Sequence, residues 1–383
     1  MATTLAYYAA FVALGLVAAS LGPTLPDLAR QTGTVLAEVS FLFTTRSTGY
    51  LIGSFIGGRL YDRLPGHRVM GGMLAVMVVC MFLVPLTPVI WLLAAILLAL
   101  GLGEGAVDVG GNALIVWVHG RKVGPFMNAL HFFFGFGAFL SPIIIAQLVL
   151  RSGGITAAYW ALGLLVVPVV FWLFRLRSPT HHEAAAYSGG QKEINYVLTG
   201  LVALFMLLYV GAEVSFGGWI FTYAVTLGLT SATAAAYLTS VFWGSLTVGR
   251  LLAIPIAMRF RPRTILLVDL LGCIASVGLI LLLPGSAAAV WVGAAGLGLF
   301  MASIFPTTII WAGRRMTLSG AITSWFLIGS SLGAMTFPLL IGQLFESQGP
   351  QVVMVVIEGV LLAATGLFVG LMLYAGRPTA EEV

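Results

Sequence analysis

A chain of 383 residues that is 60% apolar and 8% charged is not composed like an ordinary soluble domain, in which about a quarter of the residues carry charge. Its net charge of +5 is no nucleic-acid footprint, because the basic residues lie in short runs between long apolar stretches, the arrangement that sets membrane topology. The residues also argue against an enzyme: the five histidines form no HExxH pair, no nucleophile has a plausible triad, and no nucleotide-binding loop is present to drive an ATP pump.

A spanning helix takes roughly 20 mostly apolar residues. Turn residues and charges divide the chain into twelve such pieces, centred near 13, 47, 78, 103, 137, 165, 208, 242, 274, 300, 330 and 363. The first, MATTLAYYAAFVALGLVAAS, lacks a basic leader region and reads as a spanning helix rather than a cleaved signal. The second carries Arg46 in FTTRSTG and runs into the loop GGRLYDRLPGHR at 57–68. The fourth holds Glu104, Asp108 and Asn112 in GEGAVDVGGN, inside an otherwise uncharged apolar segment, and the fifth holds Asn128 and His131 in FMNALHFFFGFG. The longest polar interval, SPTHHEAAAYSGGQKEIN at 178–195, predicts a cytoplasmic linker at 178–194 between bundles at 1–177 and 195–383. The seventh piece carries Glu213, Trp219 and Tyr223 in GAEVSFGGWIFTY. Cys80 and Cys273 fall inside apolar runs without metal-ligand spacing and read as helix packing.

With both termini cytoplasmic, fifteen of the eighteen basic residues fall on that side, among them Arg59, Arg63, Arg68, Arg250 and Arg377, while Arg30 and Arg151 fall outside and Arg46 stays within a helix. An internal repeat accompanies this alternation. GSFIGGRL at 53–60 matches GSLTVGRL at 244–251, and GAFLSPIIIAQL at 137–148 matches GAMTFPLLIGQL at 333–344, with offsets of 191 and 196.

The loop at 57–68 resembles the major facilitator signature Gly-x-x-x-Asp-Arg-x-Gly-Arg-Arg through Gly58, Asp62, Arg63, Gly66 and Arg68. It departs from the signature in that Pro65 adds one residue and His67 stands where a basic residue is expected. Three further stretches look like the fucose permease and sodium-dependent glucose transporter branch: GPTLPDLA with FTTRSTGYLIGS, VDVGGN through GPFMNALHFFFGFGAFLSP, and YVGAEVSFGGWIFTYA. The resemblance implies an all-α membrane protein of twelve transmembrane helices in two pseudo-symmetric six-helix halves, both termini cytoplasmic, with substrate bound near the midplane between the halves. It also implies that the loop latches the halves on the cytoplasmic side, and Arg250 is read as part of the second copy of that gate.

Charged side chains at mid-membrane depth are rare and face a bundle interior or a water-filled cavity. Glu104, Asp108 and Asn112 are spaced four apart and share a helical face. Two close carboxylates do not both ionise cheaply, so Glu104, Asp108 and Arg46 read as a cation-coupling set that holds a proton or a Na⁺ near Asp108. Glu104 has a second reading, as a packing acid paired with Arg46. The resemblance places Asp108 and Asn112 at the sugar and cation site, and His131 at a substrate contact; a buried histidine satisfied by a neighbouring helix is the alternative. A sugar offers hydroxyls and an apolar C–H face, so Glu213 with Trp219 and Tyr223 reads as acceptor and aromatic plate, against membership of an interfacial aromatic belt. Asn128 faces the same way as His131.

The reading is a monomeric secondary active transporter in the bacterial inner membrane. It moves a neutral hexose-like sugar by alternating access with Na⁺ or H⁺ symport, and uses no cofactor and no nucleic acid. A proton-coupled antiporter exporting amphipathic drugs is the alternative.

Overall fold

The computed structural model describes residues 1–179, 195–316 and 320–374, and its regular structure there is entirely helical. The first group of helices is α1 (Ala2–Ala18), α2 (Leu21–Thr32), α3 (Leu36–Val39), α4 (Phe41–Arg63), α5 (Gly66–Leu83), α6 (Ile90–His119), α7 (Val123–Ser152) and α8 (Thr156–Arg175). The second is α9 (Tyr196–Thr226), α10 (Ala232–Arg259), α11 (Pro262–Leu282), α12 (Ala287–Met301), α13 (Ile304–Gly313), α14 (Gly320–Gln348) and α15 (Val352–Tyr374). Most of the predicted linker, including Lys192, lies outside the described residues, as does Arg377. The side chains of Asn195, Ser231 and Ser286 cap α9, α10 and α12 by accepting from Leu198, Ala234 and Ala289 amides, which satisfies orphan donors that lipid cannot.

Each of the twelve predicted centres falls in a helix. By length and composition, however, ten segments among the described residues are fit to cross a bilayer, or eleven if α1 and α2, which meet at a 44° bend, form one span. The shortfall from twelve lies in α4, where the polar run Thr44–Tyr50 dilutes an otherwise apolar helix. That polarity is tolerable only because the run faces protein.

Helices in lipid gain nothing from burying apolar surface against one another, so association rests on close packing at small residues. The α4–α6 pair is the clearest case. A methyl group at Gly49 or Gly53 would lie 2.0 Å from the carbonyl oxygen of Leu98 or Leu102, and one at Gly101 or Gly105 would lie 2.0 Å from that of Arg46 or Tyr50. Both backbones therefore touch through four glycines. The α1–α7 and α9–α14 pairs use the same device at equivalent places. A methyl at Gly15 would meet the Phe134 carbonyl at 2.0 Å and one at Gly137 the Val12 carbonyl at 2.1 Å; in the other pair, one at Gly333 would meet the Leu207 carbonyl at 2.0 Å and one at Gly211 the Phe337 ring at 2.2 Å. Gly15 and Gly211, and Gly137 and Gly333, are each 196 residues apart, the offset of the second sequence repeat.

The two groups meet where α7 packs on α10, α4 and α3 on α14, and α2 on α9. Gln147 of α7 donates to the Tyr237 hydroxyl of α10, and Gln343 of α14 donates to the Ala37 carbonyl of α3 at 2.8 Å. These glutamines are again 196 apart, so the repeat also supplies paired cross-group hydrogen bonds. Thr44 donates to the Met335 carbonyl at 2.9 Å, and the Leu36 amide donates to Glu346 at 3.1 Å.

Placing a branched side chain at the α4–α6 contact forces backbone apart. Gly101→Val is expected to lower stability by more than about 2 kcal/mol, read as the thermal unfolding midpoint in detergent. Gly72→Ala, with nothing within 4 Å of the added methyl, should leave the midpoint unchanged or raised.

Candidate functional site

The α4–α6 contact sets four polar residues opposite one another. Arg46 and Tyr50 are one turn apart on α4, and Glu104 and Asp108 are one turn apart on α6. Arg46 binds Glu104 through both guanidinium nitrogens facing it, Nε donating to Oε2 at 2.8 Å and Nη2 to Oε1. Nη2 also donates to the Val17 carbonyl at 3.1 Å, which lies in the last turn of α1 just before its bend, a place where a cation is favoured. The side chains of Arg46 and Glu104 keep 12% and 5% of their exposure. This is a closed ion pair at the bend and matches the second reading of Glu104, as a packing acid paired with Arg46; among the described acids Arg46 binds Glu104 and not Asp108.

Asp108 has neutral partners instead. The Tyr50 hydroxyl donates to Oδ2, and Asn112 Nδ2 donates to Oδ1 at 3.1 Å and to the Asp108 carbonyl at 2.9 Å. Glu213 on α9 is held the same way by Tyr209, one turn earlier, whose hydroxyl also lies 3.3 Å from the Met301 carbonyl. No described basic side chain stands within 4.0 Å of either acid. Arg250 Nη1 donates to the His131 carbonyl at 3.5 Å. Asp108, Asn112, Tyr50, Glu213, His131 and Arg250 are all partly exposed, unlike the apolar residues around them.

The place of Arg250 along its helix differs from the expectation. It was expected at a helix end as part of a gating loop, but it lies within α10, which continues to Arg259. Trp219 and Tyr223 are both placed in helix packing. Trp219 is fully buried, its indole donating to the Pro338 carbonyl at 3.1 Å and its ring stacked on Phe345 with centroids 5.3 Å apart. Tyr223, also fully buried, donates to Gln351 at 3.1 Å. Both are packing residues between α9 and its neighbours. The ring of His131 meets Phe11 edge-on at 5.8 Å, and Asn128 is exposed one turn away.

In the loop at 57–68, Asp62 and Arg63 form part of the last turn of α4, and both are exposed, as is Arg68 on α5. Gly66 opens α5 where an added methyl would lie 2.6 Å from Leu114, whereas Gly58 faces open space. His67 is fully buried and its Nε2 pairs with the Tyr7 hydroxyl at 2.8 Å, so this position packs rather than carrying an exposed charge.

Three residues escaped the sequence reading. Tyr50 and Tyr209 hold the two acids, and the signal for Tyr209 was its i−4 spacing from Glu213. Trp243 on α10 lies two turns before Arg250 on the same face. Its ring edge lies against Gly217, where a methyl would fall 2.8 Å away, and its indole nitrogen has no partner. Oxygen donors for an alkali cation are available at Asp108 and Asn112. Among the described residues no trio of His, Cys, Asp and Glu is grouped to hold a metal ion.

Apolar helices of spanning length, joined at glycines and enclosing charged groups, define a multi-pass membrane protein. Residues 7–338 match the Major Facilitator Superfamily, and the chain belongs to it; it is a transporter and not an enzyme. It is 33% identical to sodium-dependent glucose transporter 1A of Mus musculus, over 88% of this chain and 88% of that protein. To sodium-dependent glucose transporter 1 of Homo sapiens it is 32% identical, over 87% of this chain and 72% of the relative. The fold is shared with a nucleoside transporter NupG mutant, at a TM-score of 0.78 and 11% identity over 97% and 100% of the two chains. It is shared also with a D-xylose–proton symporter, at 0.74 and 13% over 100% and 98%.

The two acids of α6 should separate by stability. Glu104→Gln leaves Arg46 buried beside a neutral group and is expected to cost about 3–5 kcal/mol. Asp108→Asn keeps its Tyr50 and Asn112 neighbours and should stay within about 1 kcal/mol of the parent. Thermal unfolding of purified protein checks both.

Proposed function

We propose that this protein is a secondary active transporter of a neutral hexose-like sugar, working by alternating access with symport of Na⁺ or H⁺. The observation that carries the reading is that Asp108 and Glu213, acids from different helix groups, are each oriented by a tyrosine hydroxyl with no described basic side chain within 4.0 Å, while Arg250 of α10 reaches across to the His131 carbonyl of α7. Each carboxylate can accept sugar hydroxyls, the tyrosines fix its orientation, and a cation can balance the excess negative charge. Similarity to sodium-dependent glucose transporters supports both the substrate class and the coupling.

The aromatic plate for the sugar ring is assigned to Trp243. It shares a face with Arg250 and its buried indole N–H has no partner, whereas Trp219 donates its own to the Pro338 carbonyl. In this reading α4 crosses the bilayer as the twelfth span, with its polar run turned to α6, and both termini are cytoplasmic. The end carrying Gln343, Glu346 and Gln147 is then the outer one, and the hydrogen bonds there close it. The protein acts as a monomer, because one chain supplies both acids, in the plasma membrane, where a cation gradient is available.

Uptake of labelled hexoses into proteoliposomes, with a sodium gradient and a pH gradient imposed separately, tests this. One gradient should drive accumulation and hydrophobic cations should not compete; absence of hexose accumulation and of hexose counterflow would remove the sugar reading. Asp108→Asn is expected to reduce gradient-driven accumulation by about tenfold or more while counterflow persists. Trp243→Ala should raise KM roughly five- to tenfold, as about 1 kcal/mol of stacking is lost, whereas Trp219→Phe should change the unfolding midpoint and not KM.

A further inference from the structure

A cavity of about 290 Å³ lies where Glu346 of α14 meets α3, apart from the acids described above. The second helix group lines it with Thr222, Thr226 and Glu346, and the first contributes Ala29, Arg30 and Val35 among others. Arg30, Val35, Thr226 and Glu346 are exposed, whereas Ala29 and Thr222 are buried, at 6% and 1% exposure. The Thr222 hydroxyl has no partner. Other helical threonines, Thr48, Thr239, Thr247 and Thr365 among them, return theirs to the carbonyl four residues back; this one does not. Thr222 lies nine residues beyond Glu213 on α9, about 13 Å along the axis. Between those two positions the helix groups touch: a methyl on Gly22 of α2 would lie 2.7 Å from the Gly217 carbonyl, and one on Gly218 would lie 2.7 Å from the Phe43 ring. Close contact between α2, α4 and α9 therefore separates the cavity from the acids.

We propose that this cavity is a second, outer binding site for a single hexose ring, and that a sugar held there keeps the outer end closed. The proposal goes beyond the central site and takes from that reading the sugar class and the direction of the chain. Pockets for small molecules run from roughly 300 Å³ upward, so the volume suits one ring and not an oligosaccharide. A guanidinium and a carboxylate both border it, which favours a neutral molecule over an ion of either sign. Arg30 donates, Glu346 accepts and the threonine hydroxyls do both, while Ala29 and Val35 offer apolar surface to a C–H face. Glu346 already bonds across the groups, accepting from the Leu36 amide at 3.1 Å. A sugar touching both walls adds to that closure. A ligand that binds one arrangement better than another shifts the population toward it. External hexose therefore opposes outer opening, and uptake rises with its concentration and then falls.

The test places a reporter at the mouth of the cavity. Thr226 is exposed, while the native Cys80 and Cys273 are buried, so in purified full-length T226C a bulky maleimide dye reads that position alone. Saturating D-glucose should slow labelling severalfold, and sorbitol at equal osmolarity serves as the control. Adding T222V should raise the half-protecting concentration about fivefold, the loss of one hydrogen bond. A29L, which fills the cavity from the opposite wall, should abolish protection and decides the matter if T222V does not fold. Adding E213Q should leave protection in place, because that acid belongs to the other site. In proteoliposomes the wild-type uptake rate should pass through a maximum as external D-glucose rises, and T222V should remove the decline. Labelling indifferent to D-glucose, protection that survives A29L, or protection lost with E213Q would overturn the proposal. Hexose counterflow is measured beside it: counterflow without protection removes the outer site and leaves the central sugar reading, whereas protection without counterflow does the reverse.

Discussion

Backbone contact between α4 and α6 is the constraint on which the rest of the site depends. Two helices in lipid have no hydrophobic drive toward each other, and what brings them together is dispersion between surfaces that fit. Glycines 49, 53, 101 and 105 let these surfaces meet at carbonyl distance. The consequence is a register: Arg46 comes opposite Glu104 and Tyr50 opposite Asp108. One packing event thus builds a neutral pin at the bend of α1 and, a turn away, an acid whose partners are all uncharged. The two carboxylates of α6 have the same helix and nearly the same face, yet their chemistry differs because of what the glycines place across from each.

The second helix group reaches a similar result by another route. There α9 carries both the acid and its tyrosine, Glu213 and Tyr209, while the positive charge comes from α10. The skeleton is duplicated, since the glycines at 15 and 211, those at 137 and 333, and the glutamines at 147 and 343 occupy matching places. The polar decoration is not. Similar skeletons suit two bodies that rock about a shared plane, and dissimilar side chains suit recognition of a ligand that has no such symmetry.

Much of the architecture was legible in the chain, and the misreadings have identifiable causes. Trp219 and Tyr223 attracted attention by their nearness in sequence to Glu213. A helix advances about 100° per residue, so positions six and ten residues on lie about 120° and about 80° round from the acid, and both pack against α14 or the start of α15. Tyr209, four residues back, shares its face. Arg250 was drawn toward a gate because the repeat aligns it with Arg59, which is exposed near the end of α4. The alignment is sound, but α10 runs on to Arg259, and those extra turns move the residue from helix end to helix middle. His67, standing in a loop expected to be basic, is buried against Tyr7, an outcome that depends on how α5 docks on α1.

Composition and order along the chain determined the solvent, the helices, the duplication and the short roster of intramembrane charges. These follow locally, because a segment that satisfies its own backbone hydrogen bonds and is mostly apolar has one stable form in a bilayer. Which charge meets which was decided only by the tertiary structure. Arg46 had three acids available to it and took Glu104, while Asp108 and Glu213 were each held by a tyrosine hydroxyl. The physical reason is that electrostatic partnership varies with distances of a few ångströms between separate helices, and those distances are set by rotation and close approach at glycine contacts, which no property of a single helix contains.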